Sequence, residues 1–277
     1  YGDGVVLMDN GDILKGQPIA YYYNYIDTTS VHVTSAMLNY MKYDVGTMGN
    51  HDVETGHAVY DRWVKQCAFP VLGANIVDNK TGEPYLTPYK IIERKGVKIA
   101  VLGMITPAIP SWLPEQLWNG LHFEDMEDCA RKWVKIIKEK ENPDVLIGLF
   151  HAGPEGNKLD NVVENGSGDV AKNVPGFDVV FMGHDHVRRC EKIVNVAGDS
   201  VLLVDPANAA RYVSDVTVKV TKAGGKLVRK SVEGALADVS RYAADEDFMR
   251  EFAGQYQATV DFVSRKIAVS YTHLRAH

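Results

Sequence analysis

The chain reads as an α/β protein on three observations. Short apolar runs that look like strands recur along it, amphipathic helical segments lie between them, and four polar motifs each follow an apolar run. With 277 residues, 45% of them apolar and 24% charged, it can bury a full core as one large domain. No Pro-, Gly- or Ser-rich linker divides it, and residues 1–240 are read as a single domain.

The first strand is predicted at residues 5–8, and the runs 70–74, 98–103, 144–150, 178–182 and 201–204 continue the series. Their unbroken apolar character fits strands covered on both faces. Between them, residues 29–43, 53–66 and 124–141 are predicted helices. In the last, Cys129, Trp133, Ile136 and Ile137 recur at helical spacing, the stripe of a helix lying on a sheet. After Asp205 the texture changes. Residues 213–220 alternate, Gly224-Gly225 marks a turn, and 227–232 supply a return strand, the signature of a β-hairpin. A final helix is predicted from Asp245 to about residue 267, with Phe248, Phe252, Tyr256, Val260 and Val263 on one stripe. That stripe needs this domain or a neighbouring one to pack on. Residues 269–277, which continue no pattern, are read as a frayed or foreign tail.

Composition excludes some functions. The net charge of −6 and the lack of a dense Lys/Arg run argue against a surface for a nucleic-acid polymer, which needs basic side chains to displace counterions. No apolar run approaches the roughly 20 residues of a membrane span. Three cysteines, Cys67, Cys129 and Cys190, are odd in number and far apart, so neither a disulfide framework nor a Cys-based zinc site is expected; they read as small core residues.

The chemistry sits in the four motifs: Asp9-Asn10-Gly11-Asp12, Gly49-Asn50-His51-Asp52, His151-Ala152-Gly153 and Gly183-His184-Asp185-His186. Strand ends are where α/β sheets present catalytic side chains. Imidazole and carboxylate together suit divalent transition metals, and neighbouring glycines let the backbone turn sharply enough to gather the ligands. Each motif also has a purely structural reading. A single histidine after a strand is more often a hydrogen-bonded core residue, Gly-Asp is a common turn, and Asn50 or Asp52 could cap the helix that follows.

Taken together and in this order, the motifs resemble the calcineurin-like metallophosphoesterase superfamily, whose pattern is Asp-x-His, Gly-Asp, Gly-Asn-His followed by Asp or Glu, His, and Gly-His-x-His. The stretches Gly11-Asp12-Ile13-Leu14-Lys15-Gly16-Gln17-Pro18, Gly73-Ala74-Asn75-Ile76 and Pro206-Ala207-Asn208-Ala209-Ala210-Arg211-Tyr212 look like its bacterial 5′-nucleotidase and 2′,3′-cyclic-nucleotide 2′-phosphodiesterase branch. The resemblance implies a layered αββα sandwich of mixed sheets with flanking helices. It implies two divalent metals such as Zn, Mn or Fe, with Asp12 bridging them, Asn50, His151 and His184 completing one site, and His186 belonging to the other. His51 would protonate the leaving oxygen or stabilise the transition state, with Asp52 holding its ring, while a hydroxide between the metals attacks phosphorus. The substrate would be a nucleoside 5′-monophosphate or a 2′,3′-cyclic nucleotide.

The same resemblance implies a periplasmic or cell-envelope enzyme, with residues 241–268 as a linker helix leading to a C-terminal substrate domain. Asp-x-His appears nowhere before Asp12, so the chain is expected to be a fragment whose first metal site keeps only His186 and the shared Asp12. Low activity is expected of it. Substrate-binding residues are not assigned: the run Tyr21-Tyr22-Tyr23 fits core or helix surface better than a base platform. Two other readings stay open, a non-catalytic metal-binding module and a related esterase acting on another phosphate or sulfur ester.

Overall fold

The computed structural model describes residues 2–156, 158–160 and 162–265. The tail at 269–277 and the last residues of the expected linker helix lie outside them.

Two sheets form the centre. One has six strands in the order Arg189–Val194, Ser200–Asp205, Val179–Phe181, Val145–His151, Val97–Ile105 and Tyr89–Arg94. Its four central strands run parallel and its two edges antiparallel. The other is a small parallel sheet of Met8–Asp9, Val45–Thr47 and Val71–Leu72. Side chains alternate along a strand, so each large-sheet strand feeds two cores. Val145, Ile147 and Leu149 meet Val45 and Leu72 of the small sheet, whereas Leu146 and Phe150 face Cys129, Val134 and Ile137 of the helix Met126–Lys140. On the far side of the small sheet, Leu38, Tyr60 and Trp63 from two helices close over Met48 and Val71. The layers therefore run helix, sheet, sheet, helix, the sandwich expected from the motifs.

The four central strands of the large sheet lie where the apolar runs placed them, but the strand expected at residues 5–8 forms only at Met8–Asp9. The two edge strands were missed because Lys90, Glu93, Arg189, Glu191 and Lys192 interrupt their apolar pattern, as charge commonly does on strands that border solvent. Two helices are shorter than expected. Residues 29–31 are drawn into a turn around Asp27, whose Oδ1 accepts the Thr29 and Ser30 N–H groups, so the helix spans Val33–Tyr40. Gly56, at φ 80°, splits the 53–66 segment into Asn50–Val53 and His57–Gln66. Of the cysteines, Cys129 is buried, but Cys67 is half-buried and Cys190 exposed on an edge strand, which corrects the reading of all three as core.

The hairpin is longer than its alternation showed, pairing Tyr212–Ala223 with Lys226–Asp238. Gly224 and Gly225 both have positive φ, the turn whose twist matches that of the strands it joins. Its inner face, Val216, Val218, Val220, Val232 and Leu236, covers the core between the sheets. The C-terminal helix is broken at Phe252 into Glu246–Glu251 and Ala253–Val263 and packs on this domain. Tyr40 lies against Phe248 and Phe252, and Tyr22 against Phe262, while Tyr256 and Val263 of the expected stripe are exposed. The tyrosine run is thus partly core, through Tyr23, and partly a helix surface.

Gly103 sits where the large sheet meets Leu72 of the small one. A Cβ there would lie 2.2 Å from the Leu72 Cβ. Gly103→Ala is therefore expected to lower stability by about 1–3 kcal/mol, measured by urea unfolding; a neutral effect would mean that the sheets can separate freely. His32 offers a second test. It is fully buried, its Nε2–H donates to Asn24 Oδ1 at 2.8 Å, its Nδ1 accepts from Thr34, and Asn24 in turn donates to the Leu14 carbonyl. Burial, and then the charge of Arg62, push its pKa down to about 4 from 6.5. The unfolded chain takes up this proton near 6.5 and the folded one only near 4, so stability is full above that window and falls with pH through it. The slope should be about 1.4 kcal/mol per pH unit and should flatten in His32→Asn. Parallel stability–pH curves for the two proteins would refute this.

Candidate active site

The Met8–Asp9 and Val45–Thr47 strands are parallel neighbours, so the loops that follow them leave the same end of the small sheet. Gly11, at φ 85°, passes so close to Gly49 that a Cβ would stand 2.5 Å from the Gly49 nitrogen. Asp52 ties these loops together. Its Oδ2 accepts the N–H groups of Gly49 and Asp12, both at 2.8 Å, and its Oδ1 those of Ile13 and Leu14, both at 2.9 Å. Burial, and then the charge of Asp12, raise Asp52 to about 6 despite these four donors. The His51 N–H donates to Asp12 Oδ1 at 2.8 Å, a fourth hydrogen bond between the two loops beside those from Asp12, Ile13 and Leu14 to Asp52.

The large sheet supplies the opposite wall. His151 has the parity of Val145, Ile147 and Leu149 and so falls on the face toward the small sheet. Its Nδ1–H donates to the Asn10 carbonyl at 2.6 Å, and its Nε2 lies 3.1 Å from both Asp12 Oδ2 and Asn50 Oδ1. His184 brings Nδ1 to 2.8 Å from the same Asn50 oxygen and Nε2 to 3.0 Å from Glu164 Oε1. The rings of His151 and Trp112 flank it, at 5.5 and 5.3 Å between centroids. Asp12, His184 and His186 all have positive φ, a strained conformation for residues other than glycine and one that gathers at functional sites.

Four of the predicted metal residues, Asp12, Asn50, His151 and His184, are thus brought together. His186 is not. It stands exposed, accepting from Asn208 at 3.3 Å, and among the described residues no hydrogen bond links it to the other four. The predicted hold of Asp52 on the His51 ring is also corrected. Asp52 commits both oxygens to backbone, and the ring is held by Glu54, with His51 Nδ1 2.6 Å from Glu54 Oε2 and Lys15 on the other oxygen. Glu54 was legible, because a residue three positions on from His51 returns to the same side of a helical turn. Glu164, set in a loop far from any motif, gave no such signal.

Burial opposes charge on Asp12 and His151 and is the largest single influence on each. The hydrogen bond and field between them outweigh it, holding Asp12 below the usual carboxylate range and His151 above its ordinary value. For His184, burial and then the charge of His151 act the other way and lower it. Behind the pair, Asp9 is raised to about 7 by burial and then by Asp52.

The donor set fits a divalent cation. The two oxygens, Asp12 Oδ2 and Asn50 Oδ1, can only accept, and His151, having given Nδ1–H to a carbonyl, presents a lone pair on Nε2 when neutral. Lone pairs facing one another are satisfied together by a metal ion. Among the described residues no three His, Cys, Asp or Glu form a metal-ready group by themselves; the meeting point here is the amide oxygen of Asn50.

The sequence profile of the calcineurin-like phosphoesterase family matches residues 2–188. The chain belongs to that family. Calcineurin-like phosphoesterases generally use divalent metals. This phosphoesterase chain is 35% identical over 193 residues to a 2′,3′-cyclic-nucleotide 2′-phosphodiesterase/3′-nucleotidase of Haemophilus influenzae, covering 65% of the chain and 29% of that protein. It is 29% identical over 191 residues to a 5′-nucleotidase of Vibrio cholerae, covering 68% of the chain and 34% of that protein. The trifunctional nucleotide phosphoesterase protein YfkN of Bacillus subtilis is 26% identical over 95% of the chain, which spans 20% of its length. A crystal structure of the YfkN calcineurin-like phosphoesterase superposes with a TM-score of 0.80 at 24% identity, over 94% of this chain and 85% of that one, and supports the fold. The phosphoesterase chain therefore spans about a third or less of these curated relatives. No helix among the described residues is long and apolar enough to cross a membrane.

If Asp52 is the clamp, Asp52→Ala should lower the unfolding free energy by about 3 kcal/mol or more, since four N–H groups lose a charged acceptor. Asp52→Asn, which keeps one acceptor oxygen, should cost roughly half as much. Urea unfolding of the two variants checks this, and a loss below about 1 kcal/mol in Asp52→Ala would show that the loops hold without it.

Proposed function

We propose that the chain is the catalytic domain of a metal-dependent hydrolase that removes phosphate from nucleoside 5′-monophosphates or opens 2′,3′-cyclic nucleotides. The observation that carries this reading is the convergence of Asp12, Asn50, His151 and His184 beside His51. The printed activities of the relatives supply the substrate class. Asp12, Asn50, His151 and His184 would hold one divalent ion, Zn, Mn, Fe or similar, and Asp12 with His186 would contribute to a second. Bound metals supply a nucleophile near neutral pH and offset the charge that builds on phosphoryl oxygens.

The rest falls to side chains. His51 is 44% exposed, one residue from Asn50, and its N–H holds the Asp12 carboxylate, so the ring stands at the edge of the cation group. With Nδ1 held by Glu54, Nε2 is the atom left to pass a proton to the leaving oxygen. Selection of the nucleoside by a further, C-terminal domain, and a place in the periplasm or cell envelope, belong to the same reading.

With Mn²⁺ or Zn²⁺ added, the chain is expected to hydrolyse AMP or 2′,3′-cyclic AMP, and a chelator should stop it. His51→Gln should slow AMP hydrolysis about 10²–10⁴-fold, because an alkoxide needs a proton to leave. Its effect on p-nitrophenyl phosphate, whose leaving group needs none, should be about tenfold or less. Equal losses on both would remove His51 from proton donation. Failure of the wild type on every phosphoester, with metal still bound, would leave a binding module in place of an enzyme.

A further inference from the structure

We propose that Glu164 is the positioning residue that fixes the proton of His184 on Nε2, which keeps the lone pair of Nδ1 turned toward Asn50. The metal-ligating use of that lone pair rests on the function proposed above; the placement of the proton does not.

His184 lies between two acceptors. Nδ1 is 2.8 Å from Asn50 Oδ1 and Nε2 is 3.0 Å from Glu164 Oε1. A neutral imidazole has one N–H, so these oxygens compete for it. Left with Asn50 alone, the ring would put its proton on Nδ1, and the atom facing Asn50 would have no lone pair. A carboxylate is the stronger acceptor, because a charge-assisted hydrogen bond is about twice as strong as a neutral one. Glu164 therefore takes the proton. Both side chains are largely shielded, at 11% and 24% exposure, so water is a weak competitor. The Trp112 and His151 rings flank the imidazole, which means that losing Glu164 should move the proton and leave the ring in place.

Histidine tautomers can be read directly by ¹⁵N NMR on the metal-free protein, at a pH where His184 is neutral. The wild type is expected to show Nε2–H at His184. Glu164→Leu should shift the proton to Nδ1, whereas Glu164→Gln, whose amide oxygen still accepts, should keep most of it on Nε2. Zn²⁺ affinity, measured by chelator competition, should fall about 10–100-fold in Glu164→Leu and by less in Glu164→Gln. A wild-type ring protonated on Nδ1 overturns the proposal without any variant, which matters if Glu164→Leu does not fold. So does a folded Glu164→Leu protein with the tautomer and Zn²⁺ affinity of the wild type. A Glu164-dependent Nε2–H tautomer in a protein that binds no Zn²⁺ would instead overturn the metal reading of the site and uphold the hold of Glu164 on the proton.

Discussion

A buried carboxylate holds two loops that no strand ladder reaches. Beyond Asp9 and Thr47 the small sheet has ended, and its backbone N–H groups need other acceptors. Asp52 supplies one to Gly49, Asp12, Ile13 and Leu14 at once. The position of Asp12, and with it those of Asn50 and His51, follows from that arrangement. Leu14 is held a second time from behind, through Asn24 and His32, so the loop is fixed from both sides by buried polar groups. Networks of this kind are costly when incomplete and rigid when satisfied.

The second half of the site comes from the other sheet, and its delivery is a matter of parity. His151 continues the inward-facing row of its strand, and the glycine at 103 lets the facing sheets approach closely enough for that row to meet the first loop. A shift of one residue in the strand would turn His151 toward the outer helices. Core packing and the placing of a functional side chain are here the same constraint.

Much of this was legible in the residues, and what was not has identifiable causes. Central strands announce themselves as apolar runs because both faces are covered; edge strands such as Arg189–Val194 do not, since charge on them is tolerated and useful. The meeting of Asp12, Asn50, His151 and His184 follows from motifs at strand ends, a property of α/β topology. The partner of His51 did not follow from adjacency. Asp52 is next in sequence but points at backbone, and Glu54, one helical turn along, reaches the ring. Glu164 could not be found from spacing, because loop conformation brings it to His184. His186 lies apart from the other four in this structure, where it accepts from Asn208, so its place in a second site rests on the motif alone.

The left-handed backbone at Asp12, His184 and His186 has an evolutionary consequence. Such conformations cost on the order of 1 kcal/mol each for side chains other than glycine, and aspartate bears the cost more easily than histidine. Glycine at 184 would relax the chain and remove an imidazole from the centre of the site. Selection for thermal endurance alone would thus erode these positions, at the expense of the chemistry their side chains carry.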